Sequence, residues 1–211
     1  SSLSTIGTLT SALALPNVEG DFDTIEHDGV TYTVDTVVHD GLGKVYEAQT
    51  LDGGFAYYKG LRSNLSLTMH VVTALMSLQE AGYEIREDVL RSALAFVESE
   101  TKESYWKFPA TNKETIIHAE YVLRMANGGK DTSLTEIVSG FIDDKSFLNE
   151  QVSSMSLAYL AILTADGFSR SAKNRVYDAL TSRIDIDGRG AYLTQSKVVN
   201  RSYYETPVKN T

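Results

Sequence analysis

The chain has 211 residues, 42% of them hydrophobic and 22% charged, and its 19 Lys and Arg against 28 Asp and Glu give a formal net charge of -9. That size and balance suit one soluble globular domain, and the acidic surplus disfavours nucleic acid and anionic lipid, whose phosphates it repels. Zero cysteines exclude disulfides, thiol nucleophiles and Cys-ligated zinc. No apolar run approaches the roughly 18 residues that cross a bilayer, so no direct membrane insertion is expected. A start without Met or a basic leader reads as an excised or processed piece.

The first regular signal lies in Gly20 to Val38. There Thr24-Ile25-Glu26 and Val30-Thr31-Tyr32-Thr33-Val34 flank His27-Asp28-Gly29; Asp-Gly tolerates positive φ, so a β-hairpin is predicted. Gln49 to Gly60 follows. Its adjacent Gly53 and Gly54 allow a tight backbone path, Asp52 can cap local amides, and Phe55 with Tyr57 can place aromatic mass between helices. On these grounds the segment is a structural staple.

From Asn64 onward the pattern is helical. Leu67, Val71, Leu75 and Leu78 form one stripe, Val72 and Met76 widen it, and Gly82 offers a left-handed exit. A second helix is predicted over about Arg86 to Glu98, with Val89, Ala93, Phe96 and Val97 inward and Leu90 and Leu94 beside them. Thr111-Asn112-Lys113-Glu114 reads as a capping box for a helix carrying Ile116, Ile117, Tyr121, Val122 and Met125, ended by Asn127-Gly128-Gly129. Ser133-Leu134-Thr135-Glu136 repeats that start for a short helix through about Phe141. Glu150 to Leu163 is apolar nearly all round, which predicts the most buried helix of the set. A last amphipathic helix, about Ser169 to Ser182, uses Ala172, Val176, Ala179 and Leu180. Six helices joined by short loops predict an all-α array of antiparallel helical hairpins, in a single domain spanning 1–211.

Signatures of catalysis are sparse. His27, His39, His70 and His118 give no pair at i and i+4 and no HExxH arrangement, so each reads as a surface or packing histidine. Arg183-Ile184-Asp185-Ile186-Asp187-Gly188-Arg189-Gly190 starts like a calcium loop, but with Asp185 first the fifth position is Arg189 and Ser196 stands where a bidentate Glu is needed. A turn between two elements is the preferred reading. Asp143-Asp144 reads as a solvated helix end, since adjacent residues of one element point apart. GxSxG, P-loop and GxGxxG-helix signatures are missing. No metal and no cofactor are expected.

Gln49-x-x-Asp52-Gly53-Gly54-Phe55 leading into an amphipathic helix resembles the turn of α/α toroids, which include terpene cyclases, prenyltransferases and the thioester domains of alpha-macroglobulins and complement proteins. Within that group the ordered series Asp52 to Phe55, Leu67-Thr68, Ala81-Gly82-Tyr83, Gly188-Arg189-Gly190-Ala191-Tyr192 and Glu205-Thr206 is most similar to bacterial alpha-macroglobulins. The resemblance covers roughly residues 40 to 211. That family forms its thioester from a Cys and a Gln in a Cys-x-Glu-Gln-Thr-x-Ser-x-x-x-Pro frame. Thr10 and Pro16 fit the frame, but Ile6 stands at the Cys position, Thr8 at the Glu, Leu9 at the Gln and Ala12 at the Ser. Either the warhead has been lost or the true motif lies upstream of Ser1.

The resemblance implies an exported bacterial protein of the periplasm or cell surface that traps proteases by conformational collapse. This chain would be a non-covalent interaction domain within it, its partners being target proteases and other domains of the parent chain. Six helices make about three hairpins where a toroid closes with about six, so an incomplete ring or a shortened family member is expected. The alternative is an enzyme on the same scaffold, a terpene cyclase, polysaccharide lyase or prenyltransferase-like subunit, whose carboxylates would come from Asp143-Asp144 and Asp185-Asp187.

Overall fold

A computed structural model describes residues 24–27, 29–107, 113–187 and 190–194. The fold is all-α with two small antiparallel hairpins, and the chain divides into two compact units after Lys102.

In the first unit, β1 (Thr24–His27) pairs with β2 (Val30–Thr33), Thr24 opposite Thr33 and His27 opposite Val30, with Gly29 at φ +75° in the turn. The predicted hairpin is therefore present but shorter than Gly20 to Val38 at its C-terminal end. Thr33 stops the strand: its hydroxyl accepts from the Thr36 amide and caps α1 (Val34–Glu47), a helix the sequence reading did not contain. β-branched Val34, Val37 and Val38 and the interior Gly41 and Gly43 argue against helix by propensity. Burial decides otherwise, because Val38, Gly41, Leu42 and Val45 fall on one stripe that the unit covers.

α2 (Leu65–Glu80) buries Leu67, Val71, Val72, Leu75 and Leu78 as predicted. It ends at Gly82, φ +94°, and the next residue returns to α1: the Tyr83 hydroxyl donates to Asp35, and its ring meets His39 edge-on. Arg86 adds a second tie, its amide donating to the Tyr46 hydroxyl while its guanidinium covers the Tyr46 ring. α3 (Glu87–Lys107) buries Val89, Ala93, Phe96 and Val97 as expected and runs well past the predicted end at Glu98.

In the second unit, α4 (Lys113–Ala126) packs on α5 (Thr135–Asp143), α6 (Ser154–Ala165) packs on α7 (Arg170–Thr181), and the two pairs join through α4 with α6 and α5 with α7. Packing of alternate helices is the connectivity of stacked hairpins; in an up-and-down bundle the contacts follow chain order. Of the two predicted capping boxes, one lies half outside the described residues and the other differs in detail. Thr111 and Asn112 lie outside the described residues, and Glu114 reaches across to accept from the Ser153 amide ahead of α6. Leu134, the N-cap of α5, has no polar group, and the hydroxyls of Thr132 and Thr135 accept from the Leu134 and Thr132 amides in its place.

The stretch predicted as one apolar helix over Glu150 to Leu163 is broken. A π-turn spans Phe147–Gln151, Val152 is extended, and Ser153 caps α6 with its hydroxyl. Leu157, Leu160 and Leu163 are buried, but Met155 and Ile162 are exposed, so α6 is not buried all round. The segment after α7 is also a hairpin, β3 (Ile184–Asp187) against β4 (Gly190–Leu193), as the turn reading of the acidic Gly-containing stretch requires.

A buried ion network holds α4 to the start of α5. Glu120 is fully buried; its carboxylate accepts from Arg124 Nε at 3.1 Å and from the hydroxyls of Thr132 and Thr135. Arg124 also donates to the Gly129 carbonyl and to Asp131, and stacks on Phe168. Taking both charges out of water is costly, so the network holds only because its polar atoms find partners. Glu120→Ala removes the buried counter-ion of Arg124 and leaves it only the exposed Asp131, the Gly129 carbonyl and Thr135, so it is expected to cost about 2–4 kcal/mol, whereas Glu120→Leu combined with Arg124→Met costs less; urea unfolding of the three chains checks this.

Candidate functional site

The sequence singled out Gln49, Asp52, Gly53, Gly54 and Phe55, and the fold gathers all five in one corner between α1 and α2. Gln49 pairs with Phe55 in an isolated antiparallel bridge. Its carboxamide uses both hydrogens, donating at 2.9 Å to the Gly53 carbonyl and at 2.9 Å to the Val89 carbonyl in the first turn of α3. This one side chain holds the loop closed and fastens it to a helix forty positions away.

The glycines are required by space. Gly53 sits at φ +88°, and a Cβ there would stand 2.5 Å from the Ser92 carbonyl oxygen. At Gly54 a Cβ would lie 2.5 Å from Ser63 Cβ and 2.9 Å from the Phe96 ring. Their bare backbone lets the loop lie directly on α3.

Asp52 ties the two ends of the loop. Its Oδ1 accepts from the Gly54 amide at 3.0 Å, from the Ser63 hydroxyl and from the Thr50 hydroxyl. Partial burial raises its pKa, but the bonds from Ser63, Thr50 and Gly54 outweigh that and hold the carboxyl below its ordinary value. Phe55 is wholly buried; its amide donates to Thr68 Oγ1, and its carbonyl accepts from Asn64, the N-cap of α2. Tyr57 is half-buried and Tyr58 exposed, so the aromatic filling between helices comes from Phe55.

Beyond the corner an open groove of about 800 Å³ runs between the end of α1 and residues 56–63. Lys44, Lys59 and Arg62 face it together with Leu51, Tyr58 and Leu61. A smaller cavity of about 280 Å³ lies on the other side of the loop, against Ser92 and Ala95 of α3.

The other candidate residues do not assemble with this corner. Asp143 pairs with Arg175, while Asp144 pairs with Lys113 at 2.9 Å and accepts from the Phe147 amide. Lys113 and that amide hold the Asp144 carboxyl below its ordinary value. The helix end is solvated, as expected from sequence, and each of its two carboxylates also carries a surface ion pair. Asp185 and Asp187 lie on β3. His39 meets Tyr83, His70 lies on an exposed face of α2, and His118 stacks on Tyr159 at 4.7 Å, with Tyr121 on the same ring. Among the described residues no group of three or more His, Asp or Glu could hold a metal ion, and no helix is long and apolar enough to cross a membrane. Ile6, Thr8, Leu9 and Ala12, the degenerate thioester positions, lie outside the described residues, as do Gly188-Arg189 and Glu205-Thr206.

Sequence reasoning missed the partners that complete these sites. Thr50, Ser63 and Ser92 carry no local signal, since their importance comes from what folding brings beside them. Arg183, read only as the head of a failed calcium loop, is buried and donates to the Val152 carbonyl at 2.6 Å and the Asn149 carbonyl at 3.3 Å, satisfying the end of the π-turn. No protein-family model and no curated protein matches this chain.

Gly53→Ala is expected to cost about 2–4 kcal/mol, from left-handed strain plus overlap with a backbone oxygen. Gly60→Ala, at φ +86° with open space around it, should cost only about 1–2 kcal/mol; thermal and urea melts compare the two. Because the Asp52 pKa is depressed on folding, its contribution is present above the unfolded value near 3.8 and lost as pH falls through the lower folded value. Asp52→Asn should therefore narrow its stability gap from the parent sequence as acid is added; a gap that widens on acidification contradicts the assignment.

Proposed function

We propose that this chain is a non-covalent protein-interaction domain of the α/α-toroid type, part of a larger bacterial alpha-macroglobulin-like protein that traps endopeptidases at the periplasm or cell surface. One observation carries the reading: of the series that defines the resemblance, the first members, Gln49 to Phe55 and Thr68, are those that close the corner. Gln49 spans loop and α3, Gly53 and Gly54 permit the approach, Phe55 fills the space beneath, and Thr68 of the Leu67-Thr68 pair accepts the Phe55 amide. Tyr83 of Ala81-Gly82-Tyr83 docks on α1. The first half of a series that was only ordered in sequence thus has a joint structural use.

Stacked hairpins in the second unit are the repeat from which a toroid is built, and ring closure belongs to the proposal. The chain has no cysteine, so no internal thioester can form within it. The part this chain plays in capture then rests on contact, and partners would be a target protease and other domains of the parent chain. The enzyme reading gains nothing from Asp143 and Asp144, which are neutralised by separate cations.

The parent protein is expected to shield a captured endopeptidase from large substrates while small ones are still cleaved, with capture fully reversed by denaturant. Intact mass should not change in methylamine. A covalent protease adduct traced to this chain, or failure to shield any of a broad panel of endopeptidases, overturns the reading.

A further inference from the structure

We propose that the groove beside the glycine-aromatic corner is a docking site for an extended acidic peptide segment with apolar side chains, presented by a partner protein. The inference rests on the interaction-domain reading above and names the chemistry of its partner. The first observation is charge. In a chain of net charge -9, the groove collects Lys44, Lys59 and Arg62, all exposed, and among the described residues no carboxylate pairs with any of them. Of the two carboxylates nearby, Asp52 is already engaged by Thr50, Ser63 and Gly54, which leaves Glu47 on the rim. Unsatisfied cations in an otherwise acidic surface attract carboxylates and set their register.

The second observation is exposed apolar surface at the same place. Leu51, Tyr58 and Leu61 are 110%, 68% and 56% exposed, although the loop that bears them is fastened at both ends. Gly60 turns the chain at φ +86°, the Leu61 amide donates to the Tyr58 carbonyl, and the corner clamps residues 49–55. The loop is thus preorganised, and a peptide seated on it would lose little by ordering it while burying apolar area. An open groove of about 800 Å³ suits an extended chain better than an enclosed small molecule. A polyphosphate backbone suits it less, because its charged, hydrated chain carries no aliphatic side chains to cover Leu51 and Leu61.

The test uses the full chain and a fluorescein-labelled peptide alternating glutamate with leucine and tyrosine, read by fluorescence anisotropy. Lys59→Glu with Arg62→Glu should weaken binding at least about tenfold, and Leu61→Ser about threefold or more, with thermal melts unchanged. Lys44 is left alone because it also faces the C-terminal carbonyls of α1. Affinity unchanged by both variants overturns the proposal, and so does a single-stranded oligonucleotide of equal charge that competes as well as the peptide. No peptide binding by the unaltered chain, with protease shielding by the parent protein intact, overturns the groove alone. Peptide binding with shielding absent supports the groove and overturns the trapping reading alone.

Discussion

The Gln49 carboxamide makes the contact on which the first unit depends. A loop lying on a helix normally keeps its distance, because side chains on both surfaces intervene and its own backbone groups must find partners elsewhere. Here two glycines remove the side chains on one surface, and one amide supplies donors to both backbones. Close approach excludes water, and the excluded polar groups are satisfied by Gln49, Asp52 and Thr68. Each requirement depends on the others: without the glycines the loop cannot lie close enough for the carboxamide to reach Val89, and without the carboxamide the Gly53 carbonyl loses its donor.

The second unit solves a similar problem with charge. Glu120 and Arg124 lie one helical turn apart on α4 and are buried together, with Thr132, Thr135 and the Gly129 carbonyl completing the shell. Arg183 does the same for the π-turn, presenting its cation to carbonyls at the negative end of a short helical element. Buried arginines thus fix two loops whose backbones have no ladder to join. The stacking of His118 and Tyr121 on Tyr159 adds aromatic contact along the α4 and α6 pair, and burial together with Tyr121 raises the Tyr159 pKa.

Rigid corners leave outward surfaces free for recognition. In the first unit the fastened loop exposes Leu51, Tyr58 and Leu61, which contribute nothing to the core. The non-covalent capture proposed for this chain would need surfaces of this kind, since its energy would come from desolvation and charge complementarity.

The sequence by itself determined the helices from Asn64 to Gly82 and from Ser169 to Ser182, because their apolar periodicity, caps and exits agree with one another. It also marked the corner, since adjacent glycines followed by an aromatic have few other uses. Tertiary structure alone decided α1, where burial of one stripe overrides valine and glycine propensities, and the break at Val152, where an all-apolar run carries no periodic signal to place its boundary. It also decided the partners of Gln49 and Arg183, which lie tens of residues away, and no local pattern encodes a hydrogen bond across that distance.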